Sequence, residues 1–162
     1  MNPILSLIMD LLHNPVFVSA AFAWIIAQAA KVIIEIAKHE FSKERLTGSG
    51  GMPSSHSATV AGLAFGCLFV HSARSTEFAL ALFLAIVVIY DATGVRMETG
   101  REAAALNRLN EREKQAGRGP LCEKPLREKM GHTVPEIIAG VAIGYAVALI
   151  ACCAIFHYPF MN

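Results

Sequence analysis

The feature that most constrains this chain is the length of its uncharged apolar segments. No charged residue stands between Phe78 and Tyr90, and only Glu136 is charged between Val134 and Asn162. A helix of about 20 apolar residues crosses a hydrocarbon core about 30 Å thick. Hydrophobic residues make up 54% of the sequence, above the roughly 45–50% that is usual for soluble domains. The sequence therefore predicts a helical membrane protein.

Four segments are candidates to span the membrane, and the second and third are short. They are Val16–Ala37, Ser57–Ala73, Phe78–Ala92 and Val134–Phe156. The apolar stretch Ile4–Leu12 is too short to cross and is set apart by Asn14-Pro15, so we expect it at the interface. The prediction is one all-α domain over residues 1–162, a helical transmembrane bundle with about four spans and a short N-terminal interfacial helix.

Four spans place the two long polar loops, 38–56 and 91–132, on the same side of the membrane. These loops hold twelve of the 14 Lys and Arg residues. Because basic loops tend to remain in the cytoplasm, we expect an integral protein of a bacterial cell membrane whose polar face is cytoplasmic. The net charge of only +1 gives no overall field to attract nucleic acid, so no nucleic-acid partner is expected.

The second loop is predicted to contain a charged cytoplasmic helix over Gly100–Gln115, ended by the glycines and proline that follow it. Its apolar positions are Ala103, Leu106 and Leu109. Two glycine pairs in the predicted spans, Gly62-x3-Gly66 and Gly140-x3-Gly144, have the spacing that lets helices approach closely.

The run from Gly50 to His56 stands directly before an apolar helical segment. A hydroxyl of Ser54 or Ser55 there can cap the free N–H groups of the helix, whose dipole favours a bound anion. Gly50 and Gly51 let the backbone come close to that anion. His56 beside a phosphate-sized pocket could donate a proton to a leaving oxygen. The alternative is a Gly-Pro turn with a serine cap and no ligand.

His132 stands at the corresponding boundary before the last span. Thr133 and Glu136 match a T-x-x-E capping box, which by itself explains the glutamate. Glu136 also lies one helical turn beyond His132, where it can hold the ring in the tautomer that frees the other nitrogen to attack phosphorus. One geometry can serve both roles.

A third polar segment, Asp91 to Arg101, directly follows the third predicted span. An acid at a membrane boundary is costly unless it pairs or binds something. Arg96 and Arg101 could clamp phosphate oxygens. Three roles are open for Asp91: an ion pair with one of these arginines, orientation of a histidine, or ligation of a divalent cation such as Mg²⁺. A plain interfacial salt bridge is the alternative without a function.

Three further cations are candidates near the first span. Lys31 lies near the end of that span, where it either snorkels to the surface or serves as a deep cation. Lys38 and Arg45 would supply two phosphate ligands if they line a pocket, and would have no role as a surface pair.

With these motifs in order, the sequence resembles the type 2 phosphatidic acid phosphatase and vanadium haloperoxidase superfamily, and most closely its divergent small bacterial and plant-type branch. The resemblance rests on the runs from Gly50 to Ser57, from Asp91 to Arg96 and from Gly131 to Glu136, and covers roughly Gln28–Tyr145. It implies a helical membrane bundle that hydrolyses a phosphomonoester or diphosphate through a phosphohistidine.

The resemblance also implies roles for individual residues. His132 would be the nucleophile, Glu136 its orienting acid, and His56 the acid that protonates the leaving group. The implied phosphate ligands are Ser54, Ser55, Arg127 and one of Lys31, Lys38 or Arg45.

The leading hypothesis is a membrane phosphatase acting on a lipid phosphate, such as phosphatidylglycerol phosphate, or on an isoprenoid diphosphate. Its expected partners are membrane lipid, the phosphorylated lipid substrate and a second copy of the chain. No cofactor is expected with a histidine nucleophile, and a divalent metal at Asp91 is the alternative. The competing hypotheses are a non-catalytic module that binds anionic lipid headgroups through the basic loop, and a small transporter or channel subunit.

Overall fold

The computed structural model describes residues 2–37 and 50–158, and in these ranges it is built from helices with no β-strand. The all-α prediction is therefore confirmed. The helices are α1 (Pro3–Leu12), α2 (Pro15–Ala37), α3 (Ser55–His71), α4 (Thr76–Thr93), α5 (Val95–Gln115) and α6 (Val134–Leu149), the last continued by a π-helical turn over Ile150–Ile155.

Helix starts follow the capping residues of the sequence. The Ser54 hydroxyl accepts a hydrogen bond from the Ser57 backbone N–H at the start of α3, and the Ser75 hydroxyl accepts one from the Phe78 N–H at the start of α4. Such side chains satisfy N–H groups that have no partner inside the helix. The predicted boundaries of the apolar segments consequently lie within a few residues of the observed ones.

By length and apolar composition, three helical stretches of the described residues are able to cross a membrane. They are Pro15–Ala37, the stretch Thr76–Gln115 and Val134–Ile155. The segment predicted as the second of four spans forms α3, whose 17 residues rise only about 25 Å. Because α3 packs against α2, α4 and α6, most of its surface faces protein instead of lipid.

The two glycine pairs predicted to allow close approach of helices are at the contacts of α3. A Cβ placed on Gly62 would lie 2.8 Å from the Ser19 carbonyl oxygen of α2, and one on Gly144 would lie 2.5 Å from the Ala58 oxygen. Real Cβ atoms do not approach backbone this closely, so any larger residue must push the helices apart. The prediction is confirmed, and these contacts make α3 the centre of the bundle.

The charged loop helix begins earlier than predicted. It starts at Val95 instead of Gly100 and follows α4 after Gly94 alone. Ala103 is buried as expected, whereas Leu106 and Leu109 are exposed. The position of this helix is therefore not set by those two leucines.

Two asparagines on α5 hold the chain that returns towards α6. Asn110 is buried; its amide donates to the Cys122 carbonyl, and its oxygen accepts from the N–H groups of Leu121 and Cys122. Asn107 exchanges hydrogen bonds of 2.8 Å with the backbone of Leu126. Segment 121–131 thus runs back along α5 and delivers His132 to the start of α6.

Replacing Asn110 with alanine is expected to release this returning segment. Three hydrogen bonds are lost, which lowers the free energy of unfolding by about 1–3 kcal/mol. Limited trypsin digestion of the purified protein measures the effect, because the segment carries lysine and arginine residues. Gln115→Ala, at the exposed end of the same helix, is the control. Equal cleavage rates for both variants and the wild type would show that Asn110 does not hold the segment.

Candidate active site

The three polar motifs meet at one end of the bundle. The Ser54 N–H donates to the Glu136 carbonyl oxygen, and the His132 N–H donates to the Ala92 carbonyl oxygen, both at 3.0 Å. A Cβ on Gly50 would lie 3.5 Å from the Gly131 oxygen. The loops that precede α3 and α6 and the end of α4 are therefore in direct contact, as the predicted topology required.

His132 is buried and held by a carboxylate. Only 3% of its surface is exposed, and its Nδ1 lies 3.0 Å from Glu136 Oε2. Because a carboxylate can only accept, Nδ1 carries the proton and the neutral ring keeps the lone pair of Nε2. The same Oε2 accepts from the Thr133 N–H at 3.2 Å. Glu136 thus serves the helix start and the histidine in one geometry, as the sequence predicted.

His56 lies opposite His132 across the site. The centroids of the two rings are 6.1 Å apart, with 59° between the ring planes. His56 is exposed on the first turn of α3, ahead of the predicted span, and His132 is buried. The two rings are therefore neighbours at the same end of the bundle.

The surroundings of His56 favour its neutral form. Its ring has an exposed part, but the neighbouring chain removes some of its water, and this partial desolvation lowers the pKa of His56 from its ordinary value; the positive charge of Arg96 lowers it further. A bound phosphate brings negative charge and acts in the opposite direction. Ligand binding would therefore restore the proton that a general acid needs.

The serines predicted at the start of α3 are both buried. Ser54 caps the helix, and its hydroxyl also accepts a 2.9 Å hydrogen bond from the Ser57 hydroxyl. The capping interpretation is confirmed for Ser54. A phosphate-binding role for Ser54 and Ser55 stays a prediction.

Lys31 reaches the glycine loop. A Cβ on Gly51 would lie 2.9 Å from Lys31 Cε, and Lys31 is 4% exposed. It is therefore buried against the loop and does not snorkel to the surface. Arg127 is exposed but close enough to exert a repulsive electrostatic effect on Lys31.

Asp91 forms the ion pair that was one of its three predicted roles. Arg96 Nε donates to Asp91 Oδ2 at 2.6 Å, and both charges act on His56. Arg101 instead pairs with Glu98 at 3.0 Å, with both side chains largely exposed. Of the two predicted arginines, Arg96 is the one that stands beside the histidines.

The described residues contain no group of three or more His, Cys, Asp or Glu side chains placed to hold a metal ion. Ligation of a divalent cation was one of the three roles open for Asp91, but its Oδ2 already accepts from the Arg96 guanidinium, whose charge repels such a cation. These donors do not fit a metal. Lys38 and Arg45 lie outside the described residues.

Glu35 is the site residue that the sequence reasoning missed. It is buried, one helical turn beyond Lys31 on α2, and its Oε1 would be 3.3 Å from a Cβ on Gly51. A signal was available, since an acidic residue inside an apolar span is costly and is usually functional.

The structure is a bundle of apolar helices that carries two histidines, a histidine-bound carboxylate and basic side chains at one end, and its apolar helices are those of an integral membrane protein. The family model described as the Divergent PAP2 family matches residues 12–147, and the chain belongs to that family. It is similar to the uncharacterized membrane protein YuiD of Bacillus subtilis (strain 168), with 35% identity over 152 residues that cover 88% of this chain and 96% of YuiD. No solved structure matches the chain. The family resemblance predicted from the three motifs is confirmed.

Proposed function

We propose that this protein is a membrane phosphatase that hydrolyses a lipid phosphate through a phosphohistidine at His132. The observation that carries the proposal is the arrangement of a buried, carboxylate-bound His132 facing a second histidine 6.1 Å away. The first ring is prepared as a nucleophile, and the second is free to exchange protons with solvent. Family membership adds support, because the divergent PAP2 family takes its name from phosphatidic acid phosphatases.

Two displacement steps complete the reaction. The lone pair of His132 Nε2 attacks phosphorus, the bond from phosphorus to the lipid oxygen breaks, and His56 gives its proton to that oxygen. Water then attacks the phosphohistidine, His56 takes a proton from the water, and the bond between phosphorus and nitrogen breaks. The products are phosphate and a lipid alcohol when the substrate is a phosphomonoester, or phosphate and a lipid monophosphate when it is a diphosphate, and both histidines return to their initial states.

Charge stabilisation comes from three directions. Lys31 lies under the Gly50 to His56 loop, Arg96 stands beside His56, and the N-terminus of α3 directs its dipole towards the same place. Developing negative charge on the phosphoryl oxygens is favoured by each of these groups.

The position of the site at one end of apolar helices supports a lipid as the substrate. A lipid can keep its tail in the bilayer and present its phosphate to the histidines. We propose a lipid phosphomonoester, for which phosphatidylglycerol phosphate is an example, or an isoprenoid diphosphate. The excess of basic residues in the loops at this end supports a cytoplasmic orientation in a bacterial cell membrane.

The experiment that tests the proposal measures phosphate release by the purified protein in detergent micelles containing lipid phosphates. His56→Ala is expected to lower kcat/KM by about 10²–10⁴-fold on a lipid phosphate, whose alkoxide leaving group needs a proton. The loss should be much smaller on 4-nitrophenyl phosphate, which leaves without one.

The control is His71→Ala, which changes an exposed histidine at the opposite end of α3 and should behave as the wild type. An equal loss on both substrates would exclude His56 as the general acid. A wild-type protein that releases no phosphate but still binds anionic headgroups would favour the non-catalytic hypothesis instead.

A further inference from the structure

Glu35 is a buried carboxylate whose presence the proposed reaction does not explain. It is 8% exposed on α2, and its Oε2 has no hydrogen-bond partner among the residues that the structure describes. Removing a carboxylate from water without full hydrogen bonding is energetically costly. A residue this costly in an apolar helix needs a compensating interaction.

The compensating charge is on the same face of the helix. Lys31 and Glu35 are four residues apart, a spacing that brings side chains together on a helix. Glu35 has the largest electrostatic effect on Lys31, ahead of Glu136 and Arg127. The two residues therefore behave as a buried charge pair.

The pair lies against the loop that we propose as the phosphate site. Lys31 Cε and Glu35 Oε1 would be 2.9 Å and 3.3 Å from a Cβ on Gly51. Gly51 has φ of +91°, which favours glycine, and its missing side chain leaves space for the pair. A phosphate bound by this loop is thus placed to compete with Glu35 for the Lys31 ammonium.

We propose that Glu35 is a positioning residue of this site: it is the counter-ion that holds Lys31 beside Gly51 when the site is empty and yields it to a phosphate oxygen on binding. The inference rests on the proposed function, because it takes the Gly50 to His56 loop as the phosphate site. Glu35 keeps the buried ammonium neutralised between turnovers. Its negative charge also opposes the bound phosphate and so favours product release.

The test is the affinity of the purified full-length protein for inorganic phosphate, measured by calorimetric titration. Glu35→Gln keeps the shape of the side chain and removes its charge, so phosphate becomes the only full counter-charge for Lys31. We expect phosphate to bind about tenfold more tightly, with a matching fall in the inhibition constant for phosphate and no rise in kcat. A residue with a merely structural role would not tighten binding when changed.

Two matched variants complete the measurement. Glu35→Asp retains the charge and should bind phosphate as weakly as the wild type. Glu77→Gln removes an exposed carboxylate from the first turn of α4, at the other end of the bundle, and should have no effect. Phosphate binding by Glu35→Gln that is unchanged or weaker than in the wild type overturns the inference.

A double-mutant cycle on thermal unfolding in phosphate-free buffer separates this inference from the proposed function. Lys31→Met should restore stability lost in Glu35→Gln, because each single change leaves one buried charge uncompensated. If Glu35→Gln does not fold, recovery of folded protein in the double variant supports the pair, and failure to recover overturns it. If the cycle shows that Lys31 and Glu35 stabilise each other but the protein releases no phosphate, the proposed phosphatase activity is refuted and the charge pair is still supported.

Discussion

His132→Ala is expected to abolish phosphate release, with kcat lowered by roughly 10⁴-fold or more. Removing the nucleophile removes the covalent route, and the remaining groups can only bind the substrate. The measurement is phosphate release from a lipid phosphate in micelles, together with base-quenched labelling by a substrate that carries radioactive phosphate, because the bond between phosphorus and the histidine nitrogen survives base and not acid. The wild type should retain label on histidine, and the variant should retain none.

Glu136→Gln is the companion variant, because it keeps the nucleophile and changes its orientation. The amide can donate to the His132 ring as well as accept from it, so the tautomer with a free Nε2 is no longer enforced. We expect a loss of about 10²–10⁴-fold in kcat, by analogy with buried acids that orient catalytic histidines.

Undiminished release by His132→Ala, with correct folding shown by circular dichroism, would refute the phosphohistidine mechanism.

Gly144→Val is expected to have the largest effect on folding. The first carbon of the new side chain would lie 2.5 Å from the Ala58 oxygen and 2.7 Å from both Ala61 Cβ and the Gly62 nitrogen. Two of these three atoms belong to the backbone, so α3 and α6 must separate. We expect the free energy of unfolding to fall by about 3 kcal/mol or more, out of a total of roughly 5–15 kcal/mol.

Thermal unfolding in detergent, followed by circular dichroism, measures this change. Ala142→Val is the matched control, since it adds a larger side chain to an exposed position of the same helix. Only the glycine variant should unfold at lower temperature. Equal melting temperatures for the two variants would show that the α3–α6 contact tolerates extra volume and that the glycine is not required.

Much of the fold could be predicted because it follows from local properties. The absence of charge over Phe78–Tyr90, and over the last span beyond Glu136, requires lipid or protein surroundings, and caps such as Ser54 place the helix starts. The special position of α3 was not predictable in the same way. Its sequence appeared as one more short span, whereas its burial depends on three other helices that pack around it.

The charged helix α5 is a second feature whose position could not be predicted from local sequence. Gly94 was expected to belong to a loop, but the helix resumes at Val95. Leu106 and Leu109 are apolar positions of this helix, yet both are exposed, and Asn107 and Asn110 make the contacts to the returning segment. Hydrogen bonds from side chains to a distant backbone leave no periodic pattern in the sequence, so this arrangement appears only in three dimensions.

Within the site, the sequence determined the chemical identities of the two histidines and the internal geometry of one motif. The contact between His132 and Glu136 spans four residues of one chain segment, and helical periodicity fixes it. The other relations in the site are between segments far apart in sequence. They are the approach of His132 to His56, the position of Arg96 near His56, and the contact of Lys31 with the Gly51 loop.

The sequence by itself thus determined that the chain is a helical membrane protein with its polar motifs at the ends of apolar segments. Both conclusions depend on the free-energy penalty for placing charges and unpaired backbone groups in lipid. That penalty is a property of each segment by itself, so the sequence of the segment is enough to recognise it. The tertiary structure alone decided which charges lie near the histidines and that Lys31 and Glu35 lie against the Gly51 loop. Those choices depend on how separate helices pack together, including the close approach of α3 to α2 and α6 at Gly62 and Gly144, and no single segment contains that information.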